Sequence, residues 1–329
     1  LDNLTHSLVG LFLARAGFKY ASPGGTAILI LAANAPDCDM VSLLGGNTVF
    51  IEWHRHFTHS LLGMPFMALL TVATVRLFAR EPLRWWRAWW IALLGVASHI
   101  LLDLTNVYGV RLLLPFSGRW FHWDITPVID LLIWTVLLLG VAAPALGRLV
   151  GSEIGEKRKG AGNAGWAVTA LFLLTAYNFG RSVLHERAVA IVDSHRYNGL
   201  TPRRSAAFPS LNPLLWIGTA ELSNAYVQGN VDLRTGFHAA DMEPFYKAER
   251  TSAIEAALHT QPFQKFLQFV QYPLWQVQPG IDPQGNIRVR LLDLRFGNPR
   301  EPGFAAAALV TGNNQVIESS FGLGGAKPR

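Results

Sequence analysis

A single cysteine, Cys38, stands in 329 residues, so the chain builds neither an intrachain disulfide framework nor a cysteine-based zinc knuckle. A metal held here needs His and carboxylate ligands, and cysteine usage leaves the compartment open. Charge is scarce too. Asp, Glu, Lys and Arg make up 15% of the chain against 50% hydrophobic residues, which is too apolar for an ordinary soluble enzyme. The opening Leu1-Asp2-Asn3-Leu4-Thr5-His6 lacks the basic region, apolar core and small-residue cleavage site of a secretory signal peptide, so membrane insertion is expected to come from the spans themselves. Leu1 reads either as an alternative start codon written literally or as the edge of a longer chain. Also missing are a Gly-x-Ser-x-Gly elbow, a phosphate-binding Gly-rich loop with its Lys and Ser or Thr, and a His-Glu-x-x-His helix. There is no internal repeat, low-complexity tract or coiled-coil heptad.

What is present is apolar length and tryptophan. Eleven Trp favour membrane interfaces, and Trp85, Trp86, Trp89 and Trp90 crowd the start of one apolar segment. Runs at 60–79, 86–104, 125–149 and 166–184 approach or exceed the roughly 20 residues a span needs. Runs at 4–17 and 26–35 fall short, and Ser22-Pro23-Gly24-Gly25 between them has turn composition, so they read as a short helical hairpin packed on the longer helices. The expectation is a mainly α membrane protein: four long spans plus the hairpin at 1–185, then an extramembrane α+β domain at 186–329. The last span is expected to run on through His195, before Gly199-Leu200-Thr201-Pro202 stops it. Segments 214–222, 225–232, 287–296, 304–311 and 315–321 read as strands, with a turn at Asp282-Pro283-Gln284-Gly285-Asn286. Ser252-Ala253-Ile254-Glu255 has the spacing of a capping box and predicts a helix running toward Gln261.

The net charge of +6 raises nucleic-acid binding, but the cations cluster in loops. Arg15 and Lys19 mark one turn, Arg76, Arg80, Arg84 and Arg87 a second, and Arg148, Lys157, Arg158 and Lys159 a third. The bias of Lys and Arg toward cytoplasmic loops accounts for them, and no nucleic acid is expected. With these loops inside, alternation of the helices puts His6, Asp37 to Asp39, His54 to His59, His99 to Asp103 and His122 to Asp130 together on the outer face, along with the C-terminal domain.

Those clusters carry the chemistry. His99 and Asp103, four apart on one helix, project from one face toward one ion or neighbouring ions; the plain alternative is a buried His satisfied by its carboxylate. Burying such a pair near hydrocarbon favours a functional role. Asp37 and Asp39 flank Cys38 and repel each other unless a cation, a shared proton or a basic partner intervenes; alternatively one caps a helix while the other faces water. His54 and His59 need irregular backbone between them to converge, and Thr58 or Ser60 can cap the helix that follows. Arg55 suits an anionic substrate group by its planar fork, or pairs with Asp37 or Asp39. His56 is a second catalytic candidate, with an exposed surface histidine as the equal alternative. His6 is a possible ligand. Asp124 reads as a ligand, an outer partner or a cap before Pro127, and Asp130 as lying two turns into the next helix. An oxygen- and nitrogen-rich site of this kind suits Zn, with Mn or Fe as alternatives.

Taken as an ordered set, Asp2-Asn3-Leu4-Thr5-His6-Ser7, Pro36-Asp37-Cys38-Asp39, His54-Arg55-His56-Phe57-Thr58-His59-Ser60 and Ser98-His99 through Asp103 and Thr105 resemble the bacterial membrane-bound metal-dependent hydrolases of the YdjM type, which are LexA-regulated inner-membrane proteins. The resemblance covers about the first 130 residues. It implies a metal hydrolase of the inner membrane without naming the substrate. The order His, Asp, His, then His-x-x-x-Asp is also similar to the zinc-dependent phospholipase C and P1 nuclease group, whose later His-x-x-x-Glu pair has no match here. The resulting expectation is a hydrolase acting on a phosphoester or lipid-linked substrate among membrane lipids. His6, Asp37, Asp39, His54, His59, His99, Asp103 and Asp124 are its metal candidates, and Arg55 and His56 its catalytic ones. A metal or proton transporter is the alternative, and a structural or sensory protein with a binding C-terminal domain is a third.

Overall fold

Polar side chains set where several of the described helices begin. In the computed structural model, which describes residues 1–153, 162–237, 242–279 and 285–324, Asp2 caps α1 (Asn3–Arg15) by accepting from the Leu4 and Thr5 N–H groups. Asp130 caps α6 (Leu131–Glu153) through the Leu132 and Ile133 N–H groups, so it stands before that helix and not two turns inside it. Ser60 turns the chain into α4 (Gly63–Phe78), its Oγ accepting from the Gly63 N–H and donating to the Phe57 carbonyl.

These starts shorten two expected spans. The apolar part of α6 is Leu131–Gly147 and α4 has 16 residues, while α5 (Trp85–Leu104) and the stretch Ala164–Ser194 of α7 (Gly162–Ser194) are long and apolar enough to cross a membrane. Among the described residues that makes two candidate spans, rising to four if each of two bent helix pairs acts as one, against the four long spans expected. One bent pair is α2 (Gly25–Ala32) with the 3-10 segment Ala35–Gly45, at 44°. As expected of the N-terminal hairpin, α1 and α2 are short and pack on longer helices.

The chain divides into two compact units. The helical unit comprises Leu1–Asp39, Arg55–His185 and Pro209–Pro213; the other comprises Met40–His54, Glu186–Phe208 and Leu214–Arg329. The excursion Met40–His54, which carries α3 (Asn47–Trp53), folds with the second unit, whereas the sequence reading keeps it with the helices. In the helical unit, Ile28, Leu29 and Ala32 of α2 pack with Ala68 and Val72 of α4 and with Ala88, Ala92 and Val96 of α5 in one buried cluster. Glycine makes the approach close: a Cβ on Gly95 would stand 2.7 Å from that of Ala32, and one on Gly10 would stand 2.7 Å from the Leu29 carbonyl oxygen. Small residues at such crossings let membrane helices gain van der Waals contact without a hydrophobic driving force. A second cluster joins Val9 and Phe12 of α1 to Ile133 and Leu137 of α6 and to Ala170 and Leu174 of α7.

The second unit holds two four-stranded sheets in sequence order. One is β1 (Arg204–Pro209), β2 (Leu215–Glu221), β3 (Ala225–Asp232) and β4 (Glu243–Tyr246). The other is β5 (Pro273–Pro279), β6 (Ile287–Asp293), β7 (Phe304–Val310) and β8 (Val316–Leu323), with α8 (Ser252–Leu258) and α9 (Gln261–Leu267) against it. Five strands fall where alternation and β-branching place them. β6 stops three residues short of the expected 296, because the Asp293 carboxylate accepts from the Arg295 N–H and tightens Leu294–Phe296 into a 3-10 turn. The three strands without a sequence signal, β1, β4 and β5, are edge strands, and each contains proline, which only an edge tolerates. The α8 cap is Thr251, whose Oγ1 accepts from the Ile254 N–H, one residue earlier than the Ser252 capping box predicts; Glu255 pairs with Arg250 instead. The expected turn at 282–286 lies mostly outside the described residues.

Candidate metal centre

Four donor atoms from three segments of the helical unit meet in one place: Asp37 Oδ1, His59 Nε2, His99 Nε2 and Asp103 Oδ2. Asp37 comes from the 3-10 segment after α2, His59 from the short 3-10 turn Phe57–His59, and the other two from successive turns of α5. His59 Nε2 lies 3.1 Å from His99 Nε2, 3.5 Å from Asp37 and 3.4 Å from Asp103. His99 Nε2 lies 3.5 Å from Asp37 and 3.3 Å from Asp103. A tetrahedral ion bonded at about 2.0–2.1 Å separates its ligands by roughly 3.3–3.4 Å, so these five edges are of a size that can hold a metal ion. The side chains of His59, His99 and Asp103 are fully buried and that of Asp37 is 7% exposed, which leaves the Asp37 side as the open one.

The ring orientations are set from outside the cluster. His99 Nδ1 donates to the Ala33 carbonyl oxygen at 2.7 Å, turning Nε2 inward. His59 Nδ1 lies 2.9 Å from Thr58 Oγ1 and 3.2 Å from Asp39 Oδ2. The Thr58 hydroxyl in turn donates to Asp39 Oδ2 at 2.6 Å, and the Arg55 backbone N–H donates to the same oxygen at 2.9 Å. Asp39 is thus the orienting carboxylate behind a histidine, and it does not belong to this four-donor shell.

Arg55 supports the opposite corner. Its backbone is left-handed (φ 57), its side chain is buried, and its Nη2 donates to Asp103 Oδ1 at 3.0 Å. Nη1 donates to Asn106 Oδ1 at 3.2 Å and to the Gly109 carbonyl at 3.1 Å, and the guanidinium lies over the Tyr108 ring. The fork expected to grip a substrate anion is engaged in holding a metal-site carboxylate. Asn106, fully buried, also accepts from the Tyr108 N–H, and no motif in the sequence marks it.

The other candidates are not among these four donors. His6 comes to the rim, its ring stacked on His99 at 3.8 Å and its Nε2 3.4 Å from Asp103 Oδ1. His54 belongs to the second unit, where its ring stacks on Phe50 at 4.5 Å. His56, half-buried, precedes the Phe57–His59 turn and is not one of the four donors. Asp124, with φ 55, pairs with His122 at 2.8 Å and also stands outside the four-donor group. Asp130, besides capping α6, accepts from the Tyr177 hydroxyl of α7 at 2.8 Å.

Fold and site together define a helical membrane protein with a buried two-histidine, two-carboxylate cluster able to hold a metal ion, followed by an α/β domain of two sheets. Residues 1–188 match the YdjM inner membrane protein family, and the chain belongs to it. Residues 252–324, from α8 through β8, match the YfhP C-terminal alpha/beta plait domain. The chain is 24% identical to the uncharacterized protein YfhP of Bacillus subtilis (strain 168), over 98% of its own length and 94% of that relative's. No solved structure matches it.

Proposed function

We propose that this protein is a metal-dependent hydrolase of the bacterial inner membrane, acting on a phosphoester or lipid-linked substrate. The observation that carries the reading is the set of tetrahedral edges among Asp37, His59, His99 and Asp103. Zinc suits it best, with Mn or Fe as alternatives. When bound, the ion supplies Lewis acidity toward a phosphoryl or carbonyl oxygen and makes water acidic near neutral pH. The chain's own residues do the rest: Asp39, Thr58 and the Ala33 carbonyl keep the proton on each Nδ1, Arg55 holds Asp103, and the packed helices exclude bulk water. We further propose that the spans place this site and the C-terminal domain on the extracytoplasmic side, on the strength of the Lys and Arg loops.

One observation favours a second reading. All four donors are protein atoms and three are fully enclosed, the pattern of a closed metal site that stores, senses or passes on an ion without turnover. Metal analysis of the purified full chain, with phosphoesterase assays on lipid-linked and simple phosphoesters, decides between them. The first reading expects bound metal and turnover that disappears in His59→Ala and in Asp103→Ala. No metal in the wild type, or full activity in both variants, overturns it. Metal without hydrolysis, together with transport in proteoliposomes, selects the second.

A further inference from the structure

We infer that the centre takes a second divalent cation beside the first, with the Asp103 carboxylate bridging the two and His6 as a ligand of the second; this rests on the four-donor site described above. His6 is a fully buried imidazole in which neither ring nitrogen has a hydrogen-bond partner among the described residues. Buried polar groups are nearly always hydrogen-bonded, so a histidine whose two nitrogens make no hydrogen bond asks what it is there to meet. Stacking on His99 fixes the plane of the ring, and Nε2 then points at Asp103 Oδ1, 3.4 Å away, the spacing of two ligands on one ion. Asp103 is divided accordingly: Oδ2 faces His59 and His99, while Oδ1 faces His6. A carboxylate shared in this way suits ions about 3.5–4 Å apart, the spacing of two-metal hydrolytic centres.

Oδ1 has other neighbours, Arg55 Nη2 at 3.0 Å and the Leu1 nitrogen, so a second cation shares that oxygen with the Arg55 charge. The charge balance turns this into a statement about the ligand. With neutral histidines, one divalent ion balances Asp37, Asp39 and Asp103 against Arg55; a second leaves two positive charges unmatched in a buried site. A dianionic oxyanion such as a phosphate group, able to reach both ions, supplies the complement, which makes phosphate the substrate class that the paired site recognises.

The test uses the full chain in detergent, stripped of metal and titrated with Zn2+ alone. The wild type is expected to bind two ions per chain and His6→Phe, which keeps the stacked ring, to bind one; inorganic phosphate binds the zinc-loaded wild type at least tenfold more tightly than the variant. One ion in wild type and variant alike overturns the inference while leaving the four-donor site standing. No ion in the wild type overturns that site instead. Should His6→Phe fail to fold, electron paramagnetic resonance of Mn2+-loaded wild type answers the question: an exchange-coupled pair is expected, and isolated-ion signals at every loading overturn the inference.

Discussion

His59 and His99 present their Nε2 atoms to each other at 3.1 Å, in full burial, while the Nδ1 of each is turned toward an oxygen of its own. Nitrogens at that distance need a metal ion, or a proton on one of them, between them. The arrangement is able to hold a metal ion, and its outer partners orient the donors.

Removing a donor and removing an orienting group should therefore differ in kind. His99→Ala is expected to abolish metal binding. Asp39→Ala, which leaves all four donors but frees the His59 ring, should keep the stoichiometry and weaken affinity by about 10–100-fold. Chelator competition on the purified protein measures both. Equal losses would return Asp39 to the ligand shell.

Arg55→Ala leaves the Asp103 carboxylate buried without its guanidinium, a change that costs about 3–5 kcal/mol in other buried pairs. Lower thermal stability of the metal-free protein is expected, with little rescue by Arg55→Lys, since an ammonium cannot span Asp103, Asn106 and Gly109 as the fork does. A variant of unchanged stability that loses only substrate affinity would favour the anion-binding role.

Gly95→Val forces α5 away from α2, because even a Cβ at this position meets Ala32 at 2.7 Å. Loss of a monodisperse, metal-binding species after detergent extraction is the expected outcome. Normal extraction and metal binding would show that this crossing is not required to assemble the site.

At α8, Thr251→Ala should lower the stability of the C-terminal unit by about 1 kcal/mol, and Ser252→Ala should be close to neutral. Denaturant unfolding of the full chain, followed by the signal of that unit, separates the two. The reverse order would restore the capping box that starts at Ser252.

Cys38, exposed and flanked by Asp37 and Asp39, reports the side of the membrane on which the site opens. A membrane-impermeant thiol reagent should label it from outside in spheroplasts. Labelling only after the inner membrane is permeabilised would reverse the proposed orientation.

Much of the site was legible because its donors are of rare types in an apolar chain. His59, His99, Asp37 and Asp103 stand out where hydrocarbon surrounds them. Their roles were less legible. Asp37 and Asp39 look equivalent two residues apart, yet one turns inward and the other backs His59 through Thr58. Arg55 looks like a substrate group until its backbone, at φ 57, aims it at Asp103. The edge strands β1, β4 and β5 were hidden by their prolines, and the true start of α6 by an Asp inside an otherwise apolar run.

By itself the sequence determined the chemistry available: a membrane-bound helical region whose only strong metal donors are histidines and carboxylates, followed by a strand-rich domain. Composition and period suffice for that, because hydrophobic burial and ligand type are local properties of each residue. Tertiary structure alone decided which of these donors come together. A centre with edges of 3.1–3.5 Å depends on the close crossings of glycine and alanine that set α1, α2 and α5 against one another, and no spacing along the chain encodes those crossings.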